Sequence, residues 1–182
     1  MQHHVFISYA HLDNIPADEE TKGWITRFHD ALKSFLGQYY GETPLIWRDP
    51  KIDGNMLLRE AVFGSLLKSA ALVSVLSPRY MTSDWCSDEL NTFCEQIDIY
   101  VDNRTRVFKV LKMDVPLVNM PEIFHETKGY QFYEIAETGK PDFYNPDFGE
   151  KHRQKFLYAV SDLAQDITEL LQELKTKAQG GQ

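Results

Sequence analysis

The chain has 182 residues and a formal net charge of −8, with 27 acidic against 19 basic side chains. That length fits one domain with a real core, and hydrophobic and charged fractions of 43% and 25% exclude wholesale disorder. The acidic balance argues against a general nucleic-acid binder, and no apolar run reaches the ~18 residues of a membrane-spanning helix. The opening Met1-Gln2-His3-His4-Val5-Phe6 has no basic region and leads directly into a strand-like segment. No signal peptide is therefore expected, and the chain reads as soluble, intracellular and cytoplasmic, with no membrane or nucleic-acid partner.

Residues 5–9 (Val-Phe-Ile-Ser-Tyr) are short and β-rich, and a polar loop over 11–21 follows them. Trp24, Ile25, Phe28, Leu32, Phe35 and Leu36 then recur at helical spacing, which predicts an amphipathic helix ending near Gly37. Residues 44–47 read as a second short strand, and 48–55 as a charged loop shaped by Pro50 and Gly54. A helix is expected over 56–69 from Leu57, Leu58, Val62, Leu66 and Leu67. Residues 70–76 are almost continuously apolar, as in a strand buried on both faces, and Pro78 stops them. Thr82, Ser83 and Asp84 offer N-caps for a helix running to about Ile99.

Two further strands are expected at 106–111 and 130–135, separated by an irregular span holding Pro116 and Pro121. A long amphipathic helix follows over 156–174. Residues 175–182 are polar, end Gly-Gly-Gln and show no apolar face, so they read as a flexible tail or a linker of the kind that precedes another domain. There is no internal repeat.

The two cysteines, Cys86 and Cys94, fall on one expected helix. At 1.5 Å rise per residue they stand roughly 12 Å apart, too far for a disulfide. Two thiols and six scattered histidines supply no metal-site spacing, and His3 and His4 point to opposite faces of a strand, so no metal site is expected.

Strands alternating with helices imply an α/β fold, a parallel sheet covered on both faces. Ligands in such sheets bind outside the carboxyl ends of the strands, which selects residues 10–21, 48–55 and 77–89. None contains a glycine-rich phosphate cradle or a Gly-x-Ser-x-Gly elbow. The last contains Ser83-Asp84-Trp85-Cys86-Ser87-Asp88-Glu89-Leu90. If Ser83 caps the helix, Trp85 and Glu89 are i and i+4 and share a face in its first two turns. A carboxylate beside an indole has a low-dielectric neighbour, a setting suited to acid–base or cation-stabilising work. Acidic residues also enrich first helical turns simply because they complement the dipole, and a tryptophan taken alone suits a core. Ile52 is the apolar residue in an otherwise polar loop, as on a binding surface.

Together these segments resemble the Toll/interleukin-1 receptor (TIR) domain. Val5-Phe6-Ile7-Ser8-Tyr9-Ala10 is similar to its first box. Arg48-Asp49 followed by Gly54 is similar to its second, the BB loop. Ser77-Pro78-Arg79-Tyr80 through Trp85-Cys86 and Glu89-Leu90 is similar to its segment after the third strand. The boxes occur in family order, and the match spans roughly residues 4–174. With Phe-Ile-Ser-Tyr-Ala-His and the late Gly129-Tyr130-Gln131-Phe132-Tyr133, the chain is more similar to prokaryotic TIR domains than to animal receptor ones.

The resemblance implies a flavodoxin-like parallel sheet of about five strands flanked by helices on both faces. It implies cleavage of NAD+ at the nicotinamide–ribose bond, to ADP-ribose or a cyclic isomer, in immune or anti-phage signalling. NAD+ is the substrate, and no cofactor is implied. Glu89 matches the catalytic glutamate of the enzymatic branch. Tyr9, Ala10, His11, Arg48, Asp53 and Trp85 match the NAD+-binding positions: Tyr9 and Trp85 as aromatic walls, Arg48 toward the pyrophosphate, Asp53 as the acidic residue beside the loop glycine. Ala10 and His11 stand where some relatives carry arginine, and Asp53 where receptor-type loops carry proline. Ile52 and Gly54 mark a self-association loop through which TIR domains assemble with one another. Two other readings stand beside this one: a non-enzymatic TIR scaffold, and, more remotely, another nucleoside-processing flavodoxin-like enzyme.

Overall fold

A strand with no exposed position needs neighbours on both edges and helices on both faces, and Ser69–Leu76 is such a strand. In the computed structural model, which describes residues 3–48 and 56–180 (side chains of 56–58 excepted), that strand is the centre of the sheet. The elements in chain order are β1 (His3–Tyr9), α1 (Trp24–Tyr40), β2 (Ile46–Arg48), α2 (Met56–Leu67), β3 (Ser69–Leu76), α3 (Pro78–Met81) and α4 (Asp84–Gln96). They continue with β4 (Tyr100–Val101), β5 (Arg104–Thr105), β6 (Val107–Leu111), β7 (Gly129–Gln131), β8 (Tyr133–Ile135), β9 (Pro141–Phe143) and α5 (Glu150–Gly180). The main sheet has five parallel strands in the order β2-β1-β3-β6-β7, a flavodoxin-like α/β arrangement. The two remaining pairs, β4-β5 and β8-β9, are antiparallel hairpins.

Period-two alternation sorts the sheet's side chains between two cores. Val5, Ile7, Val73 and Val75 pack with α1 and α5, through Phe28, Leu32, Phe156, Val160 and Ile167. Phe6, Leu72 and Leu76 pack with α2 and α4, through Val62, Leu66, Leu90 and Phe93. Ser8 has the parity of Phe6 and therefore faces α4, a placement that matters for the site below. At the β7 end, Phe132 stands edge-on to Trp24 at 5.2 Å and to Phe156 at 5.6 Å between ring centroids.

Several boundaries differ from the sequence expectation. The first helix passes through Gly37 to Tyr40, because the left-handed closing residue is Gly41 (φ 78°), where a Cβ would be strained. The stretch 130–135 is not one strand. β7 ends at Gln131, Phe132 drops into the aromatic cluster, and the chain then pairs Tyr133 with Phe143 in a separate hairpin. The last helix starts at Glu150, and residues 175–180, expected as a flexible tail, continue it. Lys175 reaches Glu42 at 2.7 Å and Lys177 reaches Asp102 at 2.8 Å, so charge pairs hold a stretch that has no apolar face. Gly181 and Gln182 lie outside the described residues. The short helix α3 and the β4-β5 hairpin were not expected from the sequence, and α4 stops at Gln96 rather than near Ile99. Among the described residues no helix is long and apolar enough to cross a membrane.

Phe132 is fully buried where α1, α5 and the sheet edge meet. Phe132→Ala is expected to lower unfolding stability by about 3–5 kcal/mol, the cost of a large core cavity, measured by denaturant titration.

Candidate functional site

In a 2-1-3 strand order the crevice opens between the carboxyl ends of β1 and β3, where the chain departs in opposite directions. Two serine caps shape the chain leaving β3. Ser77 Oγ accepts from the Tyr80 backbone N–H at 3.1 Å and starts α3. Ser83 Oγ accepts from the Cys86 N–H at 3.3 Å and starts α4. This second cap puts Trp85 and Glu89 on one face, turned toward β1. The Trp85 indole Nε1–H donates to Glu89 Oε1 at 3.0 Å, as i,i+4 spacing requires.

Glu89 is not the edge carboxylate that its place in the first turns of a helix suggests. It is 1% exposed. The Ser8 hydroxyl donates to its other oxygen, Oε2, and the Tyr80 hydroxyl lies 3.3 Å from Ser8 Oγ. Burial holds the Tyr80 phenol protonated well beyond its ordinary range. A carboxylate taken this far from water needs such donors on its oxygens. The outer face of Trp85 is also held. The Arg59 guanidinium lies 5.4 Å from its ring centroid and 5.5 Å from that of Phe63, and Arg59 pairs with Asp88 one turn along α4.

Beside this pair is a cavity of about 170 Å³ whose lining includes Tyr9, Ala10, His11, Arg79, Ser83 and Trp85. Its size suits a ring or a sugar, being below the ~300 Å³ of most small-molecule sites. Four residues singled out from the sequence, Tyr9, Ala10, His11 and Trp85, therefore share one cavity, and Glu89 is joined to it through the indole. Tyr9 packs chiefly with the α1/α5 core and has its ring centroid 5.6 Å from that of His11. Arg48 is not brought to this cavity: its Nη1 donates to Thr26 Oγ1 on α1 at 3.1 Å. Ile52, Asp53 and Gly54 lie outside the described residues.

Sequence reasoning passed over Ser8, Tyr80 and Arg59 as parts of this arrangement. Ser8 had a readable signal, a polar residue of Phe6 parity inside an apolar strand. Arg59 had none, because its partner Asp88 lies on a different helix. Burial pushes the Cys86 thiol up to about 12, so it stays protonated and does not act as a nucleophile at neutral pH. Among the described residues no group of three or more His, Cys, Asp or Glu is placed to hold a metal ion.

Glu89→Ala leaves the Ser8 and Trp85 donors without their acceptor and is expected to destabilise the fold by about 1–3 kcal/mol, with Glu89→Gln milder because it retains an oxygen. Thermal and denaturant unfolding of the two variants measures this. Both cysteines are free, Cys86 buried and Cys94 half-buried. Iodoacetamide is expected to label Cys94 in the native protein and Cys86 only after unfolding, as peptide mass spectrometry reports.

Compared with protein-family models and with curated protein sequences, the chain matches none.

Proposed function

We propose that this chain is a TIR-type NAD+ glycohydrolase or cyclase whose reacting carboxylate is Glu89. One observation carries the reading: a buried glutamate, oriented by an indole and a serine, at the β1/β3 crevice beside a cavity lined by Tyr9, Ala10 and His11. The order of the three sequence boxes supports the same assignment.

The chemistry needs only one carboxylate. Nicotinamide in NAD+ is cationic, so when the C1′–N bond breaks its electron pair neutralises the pyridinium, and no general acid is required. Positive charge develops on the ribose as an oxocarbenium ion, the species glycosidases also stabilise with carboxylates. A fixed anion below the sugar lowers that barrier, and its donors need not reorganise during the reaction. Water attacking C1′ and losing a proton gives ADP-ribose, whereas attack by the substrate's own adenine or ribose gives a cyclic isomer. Trp85 and Tyr9 form walls that limit competing water. Self-association through residues 48–55, with Ile52 as apolar anchor, is part of the proposal and fits a role in immune signalling. The cavity formed by the described residues holds a fraction of a dinucleotide, and the proposal has a neighbouring copy complete the site.

The burial of Glu89 also favours a second reading, a TIR scaffold in which this carboxylate only braces α4 against β1. Incubating concentrated protein with NAD+ and quantifying nicotinamide by chromatography separates the two. The expected result is nicotinamide release, a rate per protomer that rises with protein concentration, and a loss of about 10²-fold or more in Glu89→Gln. Glu89→Gln turning over as fast as the parent chain defeats the enzymatic assignment. No release at any concentration leaves the scaffold.

A further inference from the structure

On the other side of the His11–Asn14 turn from Glu89 lies a second cleft, of about 410 Å³, at the carboxyl ends of β1 and β6. That volume falls within the ~300–1,000 Å³ of small-molecule sites. We propose that it binds a neutral planar heteroaromatic base carrying adjacent hydrogen-bond donor and acceptor, the edge chemistry of a purine nucleoside. This goes beyond the Glu89 reading and does not depend on it.

The cleft's polar centre is an ion pair from two strand ends. Lys112 Nζ lies 3.3 Å from Asp13 Oδ1, with side chains 15% and 8% exposed. Asp13 is also fixed by the Ser77 hydroxyl, which donates to its Oδ2. The ammonium is 5.7 Å from the Trp24 ring centroid, and the Trp24 indole is pinned by its own hydrogen bond to the Tyr144 carbonyl at 3.1 Å. Among the described residues the Lys112 ammonium makes no hydrogen bond other than that to Asp13. An ammonium carries three N–H donors, so two are left for a guest acceptor, and the Asp13 carboxylate has lone pairs for a guest N–H. Mostly desolvated charges of this kind reward a ligand that completes their hydrogen bonding.

Charge and shape narrow the guest further. Asp13 neutralises Lys112, and the lining as a whole carries three carboxylates (Asp13, Asp18, Asp147) against two ammoniums (Lys22, Lys112). Asp147 is paired with Arg27 and Lys22 with Asp30, so among the described residues no unpaired cation faces the cleft, which disfavours phosphate and favours an uncharged ligand. Trp24, Phe143 and Phe148 provide aromatic walls, and Phe148, 61% exposed, stands where a ring can stack on it. A flat ring stacked on Phe148, with its acceptor on Lys112 and its donor on Asp13, meets each of these features.

Inosine is a suitable probe, because its lactam edge presents O6 as acceptor beside N1–H as donor. Titration of the full chain followed by amide chemical shifts is expected to show saturable binding. Lys112→Met should weaken it at least tenfold. Phe148→Ala should do the same, and since Phe148 is exposed this variant keeps the test valid if Lys112→Met fails to fold. N1-methylinosine, which lacks the donor, should bind at least tenfold more weakly, and inosine monophosphate no more tightly than inosine. The proposal is overturned by an absence of saturable binding up to the solubility limit, by binding that Phe148→Ala does not weaken, or by tighter binding of the monophosphate. It is equally overturned if binding is lost in Trp85→Ala while Lys112→Met retains it, which assigns the nucleoside to the Glu89 cavity. NAD+ cleavage can fail without touching any of these readouts.

Discussion

Because β3 is buried at every position between β1 and β6, apolar side chains must alternate to both of its faces and helices must close both layers. The rest of the architecture follows from that constraint. α1 and α5 seal one face and α2 and α4 the other, each presenting the stripe of apolar residues that its helical period places on one side. The carboxyl ends of β1, β3 and β6 are then the places where polar side chains can stand at the rim of a dry layer.

Chemistry-bearing residues are concentrated there. Glu89 is buried behind Trp85, and Asp13 with Lys112 occupies the floor of a separate cleft. Both arrangements depend on serines at strand ends, Ser8 on β1 and Ser77 after β3, which turn buried carboxylates from a cost into fixed acceptors. The His11–Asn14 turn runs between the two sites, with Leu12 lining both cavities.

The peripheral hairpins and the helix ends are held by a different kind of interaction. Arg104 pairs with Glu169 and Glu173, and Lys175 and Lys177 pair with Glu42 and Asp102. Exposed pairs of this kind are worth only about 0–1 kcal/mol each, so they orient the end of α5 more than they stabilise the domain. The aromatic group of Trp24, Phe28, Phe132 and Phe156 does more to hold α1 and α5 to the sheet edge, since it buries large rings in edge-on contact.

The main parallel sheet, its covering helices and the Trp85–Glu89 pairing were legible from local pattern. Continuous apolar character marks β3, period 3.6 marks α1 and α5, and an N-cap followed by i,i+4 spacing needs only the chain itself. Other features required the tertiary structure, because they join segments far apart in sequence. The burial of Glu89 depends on Ser8 arriving from β1, and the Asp13–Lys112 pair joins residues 99 positions apart. The diversion of Arg48 to Thr26 depends on α1 lying beside β2. The break at Phe132 depends on an aromatic pocket assembled from α1 and α5, and the helical continuation of residues 175–180 on partners in two other loops. Sequence periodicity determines which face of an element is apolar; which polar side chains meet at the ends of those elements is decided only when long-range packing brings them within hydrogen-bond reach.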